Sequence, residues 1–407
     1  MKKKSLYIIL SLFILAIIIM KTILVDDIWP IDKNIPSQDK TEDILVFEEV
    51  EIEPPIEEEP IITDIDILAV GDIMFHMPQI KSADIGQGVF DFNPIFDYVR
   101  DYIQAADISI GNYETVTIDS REYSGFPRFN SPPETIMALK ETGFDILSTA
   151  NNHSLDQGKA GIISTIEAIN RQGIKHIGTN LDKNTKPLVV EKEGIKIGFL
   201  SYTFGLNGLD SLLSSEELDY MVNLIDEEKI QNDIQILKSE DVDLIVSYIH
   251  WGHEYHHQPS KEQMDLGRDM VDWGINIVFG SHPHLAQKSE LISIGDKDNL
   301  IVYSMGNFIS NQRETTMGNP YTEDGVMVKV NIEKDFDLNK TRIKQVEYIP
   351  TWVYRYNEAG KYSYKILATE EIVNGKLDIE IDANTRNRIE ESYSHINRVY
   401  SEDKNSQ

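Results

Sequence analysis

Side chains of the types that bind metal ions follow five separate apolar runs in this sequence, each at the point where the run ends. The runs have the length and the β-branched content of buried strands. The residues that follow them are Asp72, Asn112 and Glu114, Asn152 and His153, His250, and His282 and His284. Because the carboxyl ends of strands in an α/β sheet meet at one crevice, we expect these side chains to lie together.

The combination of residue types predicts a site for two metal ions. The candidate ligands are three histidines, two carboxylates and one asparagine carbonyl, namely Asp72, Glu114, Asn152, His250, His282 and His284. This set is too large for one tetrahedral zinc, and its mixed nitrogen and oxygen atoms suit manganese, iron or zinc better than calcium. Two such ions, about 3.5–4 Å apart, clamp a phosphoryl group and activate a water molecule, which predicts hydrolysis without a protein nucleophile.

Taken singly, several of these motifs have a simpler structural explanation. Asp72 follows a glycine and is also typical of a turn cap, and the segment around Glu114 is also typical of a solvated loop. The pair His282 and His284 is the most specific signal, because one intervening residue in an extended chain places both rings on the same side. The metal hypothesis therefore depends on the whole set.

The chain has ten histidines and no cysteine. The absence of cysteine excludes thiolate zinc sites, thiol nucleophiles and a disulfide scaffold. His253, His256 and His257 lie in a polar loop before Pro259, and we expect them at the surface or in support of the ligands rather than as ligands.

The elements that must position the candidate ligands alternate between short apolar runs and helical periodicity, which predicts an α/β fold of layered sheets. Strands are predicted at Ile65–Asp72, Ile108–Gly111, Ile146–Thr149, Lys175–Gly178, Ile195–Tyr202, Leu244–Ile249, Ile275–Phe279, Leu300–Ser304 and Val326–Ile332. Helices are predicted at Pro133–Glu141, Gly161–Arg171 and Lys261–Trp273, each followed within two residues by glycine.

The first 25 residues predict a membrane anchor. Lys2, Lys3 and Lys4 precede the mainly apolar stretch Leu6–Val25, whose helical length of about 30 Å would cross the hydrocarbon core. No small-residue cleavage site is visible before Asp26. With the lysines in the cytoplasm, we expect a single-pass protein of the cell membrane with an extracellular C-terminal domain. A cleaved signal is the alternative.

Composition divides the remaining chain into three parts. Residues 26–64 are rich in proline and glutamate and predict an acidic stalk. Residues 65–350 form the predicted main domain. Residues 351–407 are expected to be an extension packed on it, with a hairpin at Gly360 and a helix over Asn384–Tyr400.

The charge of the chain limits its partners. It has 38 Lys and Arg against 68 Asp and Glu, a net charge of −30. This balance argues against a nucleic-acid partner, and a polyanionic partner would need a local positive centre.

Six motifs in order resemble those of the CapA family of capsule poly-gamma-glutamate synthesis proteins, a branch of the calcineurin-like metallophosphatase superfamily. They are G-D-I-M-F (Gly71–Phe75), G-N-Y-E (Gly111–Glu114), A-N-N-H-S-L-D-Q-G (Ala150–Gly158), H-W-G-H-E-Y (His250–Tyr255), G-S-H-P-H (Gly280–His284) and S-M-G-N-F (Ser304–Phe308). The resemblance covers about residues 65–350. It implies a four-layer αββα sandwich.

The resemblance also implies a role for each candidate ligand. Asp72 and His284 would bind the first metal, and Glu114 would bridge the two metals. Asn152, His250 and His282 would complete the second metal.

Further roles follow from the same resemblance. His153 would protonate a leaving oxygen, with Asp156 orienting it, and Asn112, Glu254 and Asn307 would contact substrate.

Two positions depart from the superfamily pattern. The usual Asp-x-His opening is absent, because Ile73 and Met74 follow Asp72 and His76 lies four residues on. The bridging residue is Glu114, one methylene longer than the usual aspartate. Both departures bear on how tightly the first metal is held.

Two functional classes follow. The first is a metal-dependent phosphoesterase or other hydrolase, active in the synthesis or export of capsular poly-gamma-glutamate or a related anionic envelope polymer or its precursor. The second is a non-hydrolytic component that binds the polymer through a degenerate metal site, within a complex of capsule synthesis subunits. A fold resemblance alone does not decide the reaction.

Overall fold

The computed structural model describes residues 60–358, 360–377 and 379–401. The predicted anchor, residues 1–25, and the predicted stalk as far as residue 59 lie outside these ranges. Among the described residues, no helix is both long enough and apolar enough to cross a membrane.

The strands of the described chain are numbered in chain order. They are β1 (Ile62–Ile73), β2 (Asp84–Gly86), β3 (Val89–Phe90), β4 (Ile108–Tyr113), β5 (Ile146–Ser148), β6 (Lys175–Ile177), β7 (Leu188–Lys192), β8 (Ile195–Thr203), β9 (Leu244–His250), β10 (Ile277–Ser281), β11 (Ala286–Ile294), β12 (Lys297–Met305), β13 (Asn307–Ile309), β14 (Asp324–Asp335), β15 (Lys340–Glu358) and β16 (Lys361–Ala368).

The α-helices are numbered in the same way. They are α1 (Met77–Ala83), α2 (Arg100–Ala105), α3 (Glu134–Thr142), α4 (Gly158–Arg171), α5 (Ser215–Met221), α6 (Glu227–Ser239), α7 (Lys261–Trp273), α8 (Glu314–Met317), α9 (Thr369–Val373) and α10 (Ala383–Ser401). Helix α7 begins at Ser260, whose hydroxyl accepts the Gln263 N–H, and ends at Gly274 in the left-handed region.

Two sheets contain most of the strands. The first sheet has the order β16-β15-β14-β1-β4-β5-β6, with β13 paired to β1, and the second has the order β11-β12-β10-β9-β8-β7. Strands β1, β4, β5 and β6 are parallel to one another, and so are β8, β9, β10 and β12. The parallel strands of each sheet therefore direct their carboxyl ends to one edge.

The sheets pack face to face, and helices cover their outer faces. Strand β1 illustrates this arrangement, because Ile67 and Ala69 join the apolar cluster that contains Tyr248 of the second sheet. The alternate residues of β1, such as Leu68, pack instead in a cluster with helices α3 and α4. Helices α6 and α7 pack with the outer face of the second sheet. Because both faces of β1 are buried, its residues form a nearly continuous apolar run in the sequence.

The α/β fold predicted from the sequence is confirmed. Each of the nine predicted strands and three predicted helices overlaps an observed element of the same type. The helix predicted from Gly161 begins three residues earlier, at Gly158. Strand β7, which no pattern indicated, lies at a sheet edge and is only half-buried, so it lacks a continuous apolar signal.

The C-terminal residues contribute to the first sheet. Strand β15 continues through residue 350, where the sequence pattern placed the end of the main domain, and it pairs with both β14 and β16. The turn between β15 and β16 includes Gly360.

Helix α10 is held against β14 by a buried charged cluster. The carboxylate of Asp324 is fully buried and accepts a hydrogen bond from Arg388 through Oδ1, and its Oδ2 lies 2.8 Å from His395 Nδ1. The hydroxyl of Tyr400 also donates to the Ser304 carbonyl. One carboxylate thus pairs with two side chains of the terminal helix.

We predict that Asp324→Asn lowers the free energy of unfolding of the full chain by about 1–3 kcal/mol, because it leaves the half-buried Arg388 without its counter-charge. Urea titration measures this loss. The matched control is Asp296→Asn, which removes the carboxylate of an exposed pair with Lys340 and should leave the midpoint unchanged. Equal effects of the two substitutions would contradict the role assigned to Asp324.

Candidate metal centre

The structure brings the six predicted metal ligands together. Glu114, His250 and His282 form one group, and Asp72, Glu114 and His284 form another, with the candidate ligand atoms of each group within 4.8 Å of one another. Glu114 belongs to both groups, and all of these side chains are buried. The arrangement has the form of two adjacent ion sites that share one carboxylate.

The first group depends on a close approach of two backbone segments. A Cβ atom on Gly71 would lie 1.9 Å from the Gly306 carbonyl oxygen, so only glycine fits before Asp72. The Asp72 N–H donates to that carbonyl. On the other side, His284 Nδ1 lies 3.0 Å from Asp72 Oδ2, and its Nε2 lies 3.9 Å from Glu114 Oε1. Burial raises the pKa of Asp72, but the hydrogen bond and positive charge of His284 outweigh it and lower the pKa.

The second group is centred on His250, the last residue of β9. Its Nδ1 lies 2.9 Å from Ser281 Oγ, so its Nε2 faces the site, 3.1 Å from Asn152 Oδ1 and 3.6 Å from Glu114 Oε1. Two ligands bonded to one ion at about 2.0–2.2 Å lie about 3.0–3.6 Å apart in tetrahedral or octahedral geometry. Burial lowers the pKa of His250 well below its usual value and that of His282 to about 3, which keeps both rings neutral and able to bind a cation.

The backbone conformation of His282 and His284 differs from the one predicted from the sequence. The extended backbone expected for this pair is wrong, because both residues have left-handed φ angles, +95° and +56°. They lie in the turn between β10 and β11, and their ring centroids are 6.1 Å apart. This turn sends His282 to the group with His250 and His284 to the group with Asp72. Strain of this kind persists where a functional geometry requires it.

Two buried polar atoms of the ligand groups have no hydrogen-bond partner. They are Glu114 Oε1 and His282 Nδ1. Burial, followed by the charge of Asp72, raises the pKa of Glu114 well above its usual value. A divalent cation would satisfy both orphaned atoms and neutralise the two adjacent carboxylates, so the donor set fits the implied metal.

Asn112 lies beneath the ligands rather than at the surface. Its side chain is fully buried, its Nδ2 lies 2.9 Å from Asp72 Oδ1 and 3.4 Å from Glu114 Oε2, and its Oδ1 accepts a hydrogen bond from Asn151. These contacts favour a role for Asn112 in orienting the ligands, rather than the predicted contact with substrate.

The other two predicted substrate residues have different surroundings. Asn307 is buried, and its amide donates to Gln312 Oε1 and the Thr322 carbonyl. Glu254 is exposed on the loop after β9, which is held by a hydrogen bond from the Tyr255 N–H to the Pro283 carbonyl. Their contact with substrate stays a prediction.

His153 and Asp156 form a buried pair beside the ligands. His153 Nδ1 lies 2.8 Å from Asp156 Oδ2, which also accepts the Phe129 N–H at 2.7 Å. The Phe129 ring packs edge-on against the imidazole, with centroids 4.7 Å apart. Asp156 therefore fixes the ring and leaves Nε2 as the nitrogen available to a substrate.

Three residues near the site were not selected from the sequence. The ring of Phe204 is 48% exposed, and its centroid lies 4.4 Å from that of His282. Arg128 is exposed and lies beside the His153–Asp156 pair, with its guanidinium 3.5 Å from the Asp156 carbonyl. Phe204 directly follows β8, as the ligands follow other strands, but an aromatic residue gives no metal-binding signal.

His76 is the third of these residues. Its Nδ1 accepts the Asn311 N–H at 3.2 Å, and its ring packs edge-on against Phe129 at 5.1 Å. Burial, with smaller effects from His284 and His153, lowers its pKa to about 4. His76 lies four residues after Asp72, a spacing that does not match the superfamily motif. The turn into helix α1 nevertheless places His76 near the site.

The fold and the two ligand groups define an α/β protein with a candidate dinuclear metal centre. Residues 66–312, more than half of the chain, match the family described as bacterial capsule synthesis protein PGA_cap. The chain belongs to this family. The resemblance stated from the six motifs is confirmed.

Two relatives from Bacillus extend the comparison. The chain is 29% identical over 277 residues to the capsule biosynthesis protein CapA of Bacillus anthracis, covering 65% of this chain and 62% of the relative. It is 27% identical over 343 residues to the PGA biosynthesis protein CapA of Bacillus subtilis (strain 168), covering 77% of this chain and 81% of the relative. The chain thus spans less than two thirds of the Bacillus anthracis protein.

Solved structures of phosphoesterases are also similar. A phosphatase from Mycoplasma pneumoniae has 16% identity and a TM-score of 0.42, covering 71% of this chain and 94% of its own. The calcineurin-like phosphoesterase YfkN from Bacillus subtilis has 16% identity and a TM-score of 0.43, covering 83% of this chain and 98% of its own.

We predict that the full chain, purified in detergent and dialysed against manganese, retains two metal ions, and that His250→Ala or His282→Ala removes one of them. Elemental analysis after dialysis measures the stoichiometry. His256→Ala, which removes an exposed imidazole outside both groups, is the matched control and should retain both ions. Full stoichiometry in both ligand variants would show that these side chains do not bind metal.

A second prediction concerns acid stability. The pKa of His76 is lowered from 6.5 to about 4, so between these values the unfolded chain binds a proton that the folded chain does not. This contribution makes stability fall with falling pH, by about 1.4 kcal/mol per pH unit. His76→Asn keeps an acceptor for the Asn311 N–H and removes this dependence. Urea titration of the metal-free proteins measures this difference. The free energies of unfolding of the wild type and His76→Asn should converge as the pH falls from 7 to 5, and a constant difference between them would contradict the assignment.

Proposed function

We propose that this protein is a metal-dependent phosphoesterase that acts in the synthesis or export of capsular poly-gamma-glutamate or a related anionic envelope polymer. The observation that carries the proposal is the sharing of Glu114 by two buried ligand groups beside the His153–Asp156 pair. A pure polymer receptor would need a cation centre, but it would not need an oriented proton donor next to it.

We propose that each ligand group holds one metal ion. Asp72, Glu114 and His284 would hold one ion, and Glu114, His250 and His282 would hold the other with the Asn152 carbonyl. A pair of divalent manganese, iron or zinc ions in these positions supplies Lewis-acid stabilisation of phosphoryl charge and acidifies water. Asn112 and Ser281 hold the ligands in position through Asp72 and His250.

His153 would act on the leaving group. Asp156 accepts from Nδ1 and prevents rotation of the ring, so Nε2 is the atom that donates a proton to the leaving oxygen. The Phe129 ring excludes water from one side of the imidazole. Arg128 and Phe204 lie where they would contact an anionic and a planar or apolar part of the substrate.

The proposed setting is the outer face of the cell membrane. Lys2, Lys3, Lys4 and the stretch Leu6–Val25 support a single-pass anchor with the folded domain outside, and the acidic residues 26–64 support a stalk. The polymer or its precursor would be the substrate, and other capsule synthesis subunits would be partners. The net charge of −30 speaks against nucleic acid.

A non-hydrolytic polymer-binding component is the second candidate. One observation favours it: the carboxylate of Asp72 already has partners in His284, Asn112 and the His282 N–H. The first site is therefore partly satisfied without a metal, which would weaken the binding of that ion.

The experiment that separates the candidates uses His153→Ala in the metal-loaded full chain. With an alkyl phosphoester, whose leaving group is poor, we expect kcat to fall by about 10²–10⁴-fold, because general-acid help is lost. With a nitrophenyl ester, whose leaving group needs little protonation, the loss should be much smaller. Metal content should be unchanged.

His256→Ala is the matched control, because it removes an exposed histidine with no part in the proposed chemistry, and it should retain full turnover of both esters. Absence of turnover in the metal-loaded wild type, together with polymer binding that chelation abolishes, would replace the hydrolase with the binding component. An equal loss on both esters would contradict the acid role of His153.

A further inference from the structure

A cleft of about 340 Å³ lies away from the ligand groups, where the edge strand β6 of the first sheet approaches β7 and β8 of the second. Four lysines line it, namely Lys175, Lys183, Lys186 and Lys229. We call this the lysine cleft. The apolar residues Leu188, Val189 and Phe199 also line it.

The lining of the lysine cleft has more basic than acidic side chains. Four lysines face two carboxylates, Asp182 and Asp233, and the further carboxylates Glu216 and Glu240 lie outside the lining, where they pair with Lys183 and Lys186. The whole chain has a charge of −30. Such a local positive centre is what a polyanion would need to approach this protein.

The two acidic residues are engaged in local structure. Asp233 is buried and accepts the Tyr202 hydroxyl at 2.7 Å. Asp182 accepts the Asn184 N–H at 2.8 Å within its own turn. Their oxygens therefore neutralise the lysines only in part.

The lysines keep capacity for an external anion. Among the described residues, no ion pair is formed by Lys175, whereas Lys229 lies 4.0 Å from Asp233 within the lining. Lys183 lies 4.0 Å from Glu216, and Lys186 lies 2.9 Å from Glu240, and both pairs are exposed. Exposed pairs of this kind contribute little, so the carboxylate of a ligand can replace them.

The lysine cleft is connected to the candidate metal centre through β8. Asn223 lines the cleft, and its carbonyl accepts the N–H of Thr203, the residue of β8 that pairs with His250. Ser201, also in the lining, lies 2.8 Å from Ser148 Oγ at the end of β5. A chain bound in the cleft would thus lie beside β8, and the carboxyl ends of β5 and β8 lie near the ligands.

We propose that the lysine cleft binds a segment of a polycarboxylate chain, as a second binding site for the polymer on which the metal centre acts. The lysines come from three separate segments, β6, the loop 182–186 and helix α6, which suits charges repeated along a chain. The lining contains no arginine, the residue whose planar fork matches phosphate, and its apolar side chains suit methylene groups between carboxylates. The class of polymer in this inference is taken from the function proposed above for the protein.

The test measures binding of a fluorescent γ-linked glutamate oligomer to the full chain in detergent by anisotropy. The triple variant Lys175→Gln, Lys183→Gln and Lys186→Gln should bind about tenfold more weakly, the sum of three weak ionic contacts. The control Lys81→Gln, Lys140→Gln and Lys376→Gln changes the net charge equally at exposed positions outside the cleft and should bind like the wild type. Both triple variants should retain metal content and turnover of a nitrophenyl ester.

Each other result is decisive. Equal weakening in both triple variants would mean that the effect comes from the overall charge of the protein and not from the lysine cleft. Unchanged binding in both, with loss on chelation, would place the oligomer at the metal centre. Tighter binding of a polyphosphate chain of equal charge would overturn the carboxylate assignment. If the wild type turns over no ester but the oligomer still distinguishes the two variants, the proposed hydrolase fails and the lysine cleft stands.

Discussion

The structure of the candidate site depends on two carboxylates, Asp72 and Glu114, which are buried next to each other. Burial and the neighbouring charge raise the pKa of Glu114, while His284 and Asn112 stabilise the charged form of Asp72. Ionised carboxylates are costly to bury side by side unless positive charge compensates them. His250 and His282, whose pKa values are lowered by burial, do not supply that charge, whereas bound cations would. The orphaned oxygen of Glu114 therefore links the geometry of the site to the chemistry proposed for it.

Both sheets are needed to build this site. Asp72, Glu114 and Asn152 lie at or after the ends of strands of the first sheet. His250, His282 and His284 lie at or after the ends of strands of the second. The apolar cluster between the sheets, which includes Ile67 and Tyr248, sets the distance between the two sets of ligands. The hydroxyl of Tyr248 also donates to the Val70 carbonyl, two residues before Asp72, and so joins the sheets close to the ligands. Packing of the core between the sheets therefore also sets the geometry of the site.

Much of this arrangement could be predicted from the sequence, because buried parallel strands are apolar runs and their carboxyl ends converge. The ligand set was predicted on that basis, and the structure brings its members together, although metal binding itself stays a prediction. The left-handed turn at His282 and His284 could not be predicted, since it depends on contacts with the loop at Tyr255. The position of His76 depends on the tertiary contact with Asn311, and the support that Asn112 gives depends on burial beneath other strands. Spacing in the sequence carries neither kind of information.

The central claim is that one carboxylate, Glu114, bridges two ions. Anomalous X-ray scattering from a crystal of the manganese-loaded protein tests it most directly. The account predicts two peaks, both within a bonding distance of about 2.0–2.6 Å of Glu114, with His284 and Asp72 at one and His250 and His282 at the other. Peaks that leave Glu114 without a metal, or no peak in these two groups, would contradict it.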